Sequence, residues 1–374
     1  MKKGRLTTWL TAAAAMLGGW TTAEAAPDIR GIYVATRPLV KARAATVADV
    51  AAGAGASGAY IQLQWRLIEP MPGRLDFRML DQQVRGALAA GRKISLSVIA
   101  GARSPQWLQA EGARMLDFQI ARGGQRQCET ISMAPPWDPV YQRRYAMMMQ
   151  ALARHVRELG ADRAVRIVKL TGVARITEEL RLPITVGRSG ECGEADATAR
   201  WRAAGYSSAL LIKAWSMLAN SVSVAFPTAV LAQDILERND LPADSMQDRA
   251  EGASDLKQDI IRAGLRLFPG RFAIQWDGLN KDGDLPATPL AAHRAGAILG
   301  WQSNMRQGFG GAGCNVRQAG PPIACSPADF AELLARGVDS GASYIELWPE
   351  DAARFPDAVA AADQRLKSGG GRDR

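Results

Sequence analysis

The chain has 374 residues, 47% of them hydrophobic and 22% charged, with a formal net charge of +9 and only two histidines, His155 and His293. So few histidines leave little material for a Ser-His-Asp triad or a histidine-rich metal site. The four cysteines, Cys128, Cys192, Cys314 and Cys325, form no closely spaced C-x-x-C pair of the kind a zinc site wants.

Lys2, Lys3 and Arg5 precede an apolar run from Trp9 to Trp20, and Ala23-Glu24-Ala25 fits the small-x-small site of a signal peptidase with cleavage before Ala26. Residues 1–25 therefore read as a signal peptide and the mature protein as periplasmic or secreted. Its loss removes three basic residues and Glu24, taking the charge from +9 to +7. The apolar run is shorter than the roughly 20 residues a bilayer span requires, and no membrane span is expected later. In an exported protein the even cysteine count favours disulfides, and the short loop suggests Cys314 with Cys325, leaving Cys128 with Cys192. Export argues against nucleic acid as a partner, and the basic surplus suits either an anionic polysaccharide or surface solvation. Residues 26–366 read as one domain and 367–374, ending in SGGGRDR, as a disordered tail. Oligomeric state is not legible.

Strand patterns fall at 30–35, 59–64, 93–99, 165–170, 222–226, 271–276, 297–301 and 343–347. Between them lie helical patterns at 79–90, 140–159, 207–220, 256–267 and 327–336, and a last one at 356–366 follows. Gly91 stands at the C′ position of the first helix. Eight strands in strict alternation with helices predict an α/β fold, a single (β/α)8 barrel with loop insertions at the carboxyl ends of its strands, where such barrels hold their sites.

One stretch carries a family pattern: Trp65-x-x-x-Glu69-Pro70-x-x-Gly73-x-x-Asp76-Phe77, then Leu80-Asp81, then Ser104-Pro105-x-Trp107-Leu108. It resembles the start of the catalytic barrel of clan A glycoside hydrolases, nearest to the family 42 β-galactosidase type. The resemblance implies hydrolysis of an oligo- or polysaccharide by two carboxylates, with an acid/base Glu after strand four and a nucleophile Glu at the end of strand seven, and no cofactor or metal. This sequence departs from that pattern twice: Thr177 rather than Asn precedes the Glu178-Glu179 pair, and the seventh strand, AILGWQSN, offers Gln302 where an acid is expected. Either the strand count slips by one, or the second acid has moved to strand eight, or the barrel binds carbohydrate without cleaving it.

Glu346 is the most informative acid, because a carboxylate among Tyr344, Ile345, Leu347 and Trp348 is costly to bury unless hydrogen bonded or functional. Glu179 is expected as acid/base and Glu346 as nucleophile or base, with Glu178 the alternative to Glu179. The competing readings are a buried salt bridge for Glu346 and a solvated loop for the pair. Gln64, Trp65, Trp107, Trp276, Asp277, Gln302 and Trp348 fall at or just beyond strand ends, where rings can stack on sugar faces and polar groups can fix hydroxyls.

Overall fold

The computed structural model describes residues 28–36, 55–121, 128–184, 197–236, 241–242, 253–303 and 325–369. Ten strands occur among them: β1 (Gly31–Ala35), β2 (Gly58–Gln64), β3 (Lys93–Ile99), β4 (Leu116–Ala121), β5 (Cys128–Met133), β6 (Val165–Lys169), β7 (Val230–Ile235), β8 (Phe272–Leu279), β9 (Ile298–Ser303) and β10 (Tyr344–Leu347). The helices are α1 (Trp65–Ile68), α2 (Arg78–Ala89), α3 (Pro139–Glu158), α4 (Ala197–Ala203), α5 (Ser208–Ala225), α6 (Ala253–Leu267), α7 (Ala287–Arg294), α8 (Pro327–Asp339), α9 (Pro349–Arg354) and α10 (Pro356–Ser368). Eight strands close in the order β1-β10-β9-β8-β7-β6-β3-β2, every neighbouring pair parallel. This is a (β/α)8 barrel, and β6, β7, β8, β9 and β10 are its fourth to eighth strands.

Period-two alternation sorts each strand between two cores. Residues such as Ile32, Val34, Ile61, Leu63, Leu96, Val98, Ile274 and Leu299 belong to the large apolar layer between sheet and helices. The opposite parity packs inside the barrel, where Tyr33, Tyr60, Ile167, Val230, Ala232, Ala273 and Tyr344 form a second cluster. Gly300 belongs to this inner set for a steric reason: a Cβ there would lie 2.2 Å from the Tyr344 ring. Asp363 of α10 closes the amino end of the barrel, accepting from the backbone N–H of Ile32 at 2.7 Å, the N–H of Ser57 at 2.9 Å and the Ser57 hydroxyl at 2.9 Å. Gly91 follows α2 with φ of 63°, its N–H bonded to Leu88 O at 3.0 Å, as its C′ position requires.

Two elements differ from the sequence expectations. The segment 222–226, expected as the fifth barrel strand, is the last turn of α5 and its cap; that strand is β7, Val230–Ile235. Val222 and Val224 suggested a strand, but Leu211, Trp215, Leu218, Val222 and Ala225 form one buried helical stripe, and the helix runs on until Phe226-Pro227. The second difference is the antiparallel hairpin β4–β5 inserted between the third and fourth barrel strands, with Leu116 opposite Met133 and Phe118 opposite Ile131. Ser208–Ala225 is, among the described residues, the one helix long and apolar enough to cross a membrane by length and composition. Its buried stripe lies in the helical layer of the barrel. Residues 1–25 and the side chains of Cys128, Cys192 and Cys314 lie outside the described residues, and so do the signal peptide and both expected disulfides; no described cysteine is free.

Candidate active site at the barrel mouth

The family-like motif after β2 forms a lock. Trp65 opens α1, has no exposed surface, and packs edge-on against Tyr145 and at a tilt to Tyr141, both on α3. Its indole N–H donates to Glu69 Oε2 at 2.8 Å, while Glu69 Oε1 accepts from the backbone N–H of Gly73 at 3.0 Å. The Trp107 indole donates to the Glu69 carbonyl at 2.9 Å, tying the turn after β3 to the same residue. The conspicuous residues of the motif thus hold one another and shape the rim. Gln64 accepts from Arg66 Nε at 3.0 Å and lines an open groove with Leu63, Ile68, Asp76, Arg78 and Gln82.

The expected aromatic platform is not assembled. Trp65 lies in the outer helical layer. Trp276 and Trp301 have outward strand parity, meet edge to face at 5.9 Å, and Trp301 donates to Ser340 Oγ at 2.8 Å. Both stand near strand ends, but alternation turns them away from the barrel axis. Trp348 belongs to the inner cluster and donates to the Ser303 carbonyl at 3.0 Å. Trp137 packs with Trp201 and Tyr206 and donates to the Ala204 carbonyl at 3.0 Å.

The polar residues of inward parity do converge. Lys169 at the end of β6 is 1% exposed, and its Nζ lies 3.1 Å from Asp234 Oδ1 on β7 and 3.0 Å from Glu346 Oε2 on β10. It also donates to Gln275 Oε1 on β8. Glu346 has no exposed surface and accepts four donors: Ser95 Oγ at 2.8 Å, Lys169, Gln275 Nε2 at 2.9 Å and Gln302 Nε2 at 3.2 Å. Ion pairing thus surrounds the acid expected to attack substrate, and Lys169 supplies the positive charge that burial of Glu346 demands.

Above this pair the loop after β6 folds back, with Leu180 N–H bonded to the Asp234 carbonyl at 2.8 Å. It sends its two acids to different places. Glu178 is the inward one, 5% exposed, accepting from the Tyr60 hydroxyl and the Gln62 amide of β2. Burial, and next the charge of Glu179, raise its pKa above the usual value. Glu179, preferred in the sequence for the inward position, stays half-buried at the rim and accepts from Thr177 Oγ1.

Asp277, also half-buried, completes the set from the end of β8. Burial pushes its carboxyl well above the ordinary range, helped by the charges of Asp234 and Glu179 and opposed by Lys169 and the Gln275 amide. Asp234, which no sequence signal singled out because its strand was misplaced, is pushed up to about 8, first by burial. The cation of Lys169 opposes that rise. One cation among Asp234, Asp277 and Glu346 cannot balance three carboxylates. Asp234 and Asp277, both raised, are the two of the three that hold protons above the usual carboxylate range.

The sequence pattern of glycoside hydrolase family 42, described as β-galactosidase, matches residues 58–168. That match covers under a third of the chain, and over the rest the likeness is one of fold. The chain is similar in fold to the catalytic domain of β-amylase from Paenibacillus polymyxa, with a TM-score of 0.56 and 12% identity over 93% of this chain and 98% of that one. A β-galactosidase from the psychrophilic Marinomonas ef1 gives a TM-score of 0.52 and 13% identity over 90% of this chain and 59% of that one. No curated protein matches the sequence. Residues 58–168 run from β2 through the Trp65–Glu69–Gly73 lock to β6, so the match stops short of every acid at the mouth.

Proposed function

We propose that the protein is an exported glycoside hydrolase that cleaves an oligo- or polysaccharide at the barrel mouth, with Asp277 as general acid and Glu179 as the facing base or nucleophile. The observation that carries this assignment is that these two carboxyls are half-buried at the rim and within electrostatic reach of each other, and that Asp277 is held above the ordinary carboxylate range. Glycosidase chemistry requires one carboxyl that keeps its proton to give to the leaving oxygen and a second group that is ionised. Glu346, expected from the sequence as nucleophile or base, is assigned to holding Lys169, because attack on a sugar carbon or on water needs a carboxylate that the substrate can touch. Glu178, bonded to Tyr60 and Gln62, is assigned to the wall under the rim. No cofactor takes part in this scheme.

Gln302 favours a second reading. It ends the seventh barrel strand, where the clan places its nucleophile, and its amide donates to Glu346. A barrel with an amide there suits a carbohydrate-binding protein without turnover. Incubation of the purified protein with a glycan panel, scoring both retention and products, decides between them: products that disappear in Asp277→Asn support hydrolysis, and binding without products supports the second reading.

A further inference from the structure

The Gln275 side chain lies at the junction of the buried ion pair and the rim. Its Oε1 accepts from Lys169 Nζ, and because an ammonium only donates, this contact fixes the amide orientation and aims Nε2 at the acids. Three carboxylates then lie within reach of that nitrogen: Asp277 Oδ1 at 2.9 Å, Glu346 Oε2 at 2.9 Å and Asp234 Oδ2 at 3.3 Å. Two hydrogens cannot serve three acceptors equally, and the two shorter contacts go to Asp277 and Glu346. Glu346 has Ser95, Lys169 and Gln302 besides. Among the described residues, Gln275 is the one hydrogen-bond donor to the Asp277 carboxyl.

We infer that Gln275 is a positioning residue that relays the Lys169 charge to Asp277, fixing the rotamer of the rim acid and its affinity for a proton. The inference rests on the assignment of Asp277 to the reacting pair, but the linkage itself is a property of the folded protein and needs no substrate. The charged groups around Asp277 come from every neighbouring element: Lys169 on β6, Glu179 on the loop after it, Asp234 on β7 and, across Gln275, Glu346 on β10. Gln275 tempers the effect of those acids, since its amide stabilises the ionised form and lowers the Asp277 pKa from where burial would leave it.

The test is a carboxyl 13C NMR titration of aspartate-labelled protein, with the Asp277 resonance assigned by Asp277→Asn. In the unmodified chain Asp277 should titrate above the ordinary carboxylate range. In Gln275→Leu and Gln275→Met, which remove the donor without adding charge, the midpoint should move up by about one unit or more, as loss of a hydrogen bond to a charged group implies. Where a substrate is turned over, the alkaline limb of kcat should move with it, a response that loosened packing alone would not give. An Asp277 midpoint in the ordinary range in the unmodified chain overturns the inference without any variant, and so does an unmoved midpoint in either folded variant. A moved midpoint in a protein that hydrolyses no glycan keeps the linkage and removes the proposed function.

Discussion

Lys169 Nζ and Glu346 Oε2 lie 3.0 Å apart in the middle of the barrel, both side chains shut off from solvent, so the most suspicious acid in the sequence already has a full-time partner. A buried pair of this kind gives little net stability, yet removing one member strands the other. Lys169→Met should therefore cost about 3–5 kcal/mol, because it leaves Glu346 buried without its cation. Denaturant unfolding, with the midpoint compared at equal m, measures this. A loss under about 1 kcal/mol would mean that protonation of the acids, and not Lys169, neutralises the cluster.

The lock after β2 makes a separate prediction. Glu69 joins Trp65, Gly73 and, through its carbonyl, Trp107, so Glu69→Ala leaves a buried indole N–H without an acceptor and frees the turn. Stability should fall by about 1–3 kcal/mol. Glu69→Gln keeps an acceptor oxygen and should lose less. Thermal melts of the two variants side by side check the order; equal losses would show that the carboxylate charge, rather than the acceptor, is what the lock uses.

Gly101 is the steric counterpart. Its φ is 57°, and a Cβ there would meet the Ala174 carbonyl oxygen at 1.8 Å, backbone that leads into the Glu178-Glu179 loop. Gly101→Ala should therefore push that loop away from the mouth, lowering both the melting temperature and any sugar binding. Unchanged binding in a folded variant would show that the loop position is not part of the site.

Much of this was legible in the sequence. Seven of the eight barrel strands overlap their expected positions, because alternation of Val, Ile and Tyr between glycines is a local signal. The fifth failed because β-branched residues at helical spacing, Val222 and Val224, satisfy both patterns, and tertiary burial of the stripe through Leu218 decided for helix. Losing that strand concealed Asp234. Glu346 was recognisable as an anomaly, but its partner was not, since Lys169 reads as an ordinary strand-end lysine until closure of the barrel brings β6 and β10 face to face. Trp276 misled because it sits at the correct end of its strand with the wrong parity, and one residue of register separates a sugar platform from a helix contact.

Activity should divide the acids. Asp277→Asn and Glu179→Gln should each lower kcat on a hydrolysed glycan by about 10²–10⁴-fold with little change in binding, the range for loss of a general acid or base. Glu178→Gln should cost less, because its carboxyl is spent on Tyr60 and Gln62. With Asp277 as acid, the rate should fall as pH rises through its elevated pKa. A pH profile lacking that alkaline limb, or near-normal turnover by Asp277→Asn, would remove it from the reacting pair.

Asp234 connects the same cluster to stability. Its carboxyl is pushed up to about 8 in the fold, against an ordinary value of 3.8. Between those two values the folded chain keeps a proton that the unfolded chain has released, so this group's contribution to stability is complete at the acid end and drains away as pH rises towards 8. Above that pH both states are ionised and the slope from this group vanishes. Asp234→Asn fixes the side chain in its neutral shape and should give a flatter dependence of melting temperature on pH than the unmodified protein across that window. The two curves should lie closest at the acid end and separate as pH rises, with the variant above. Parallel curves would mean that Asp234 is ionised throughout, held by Lys169 as a simple ion pair.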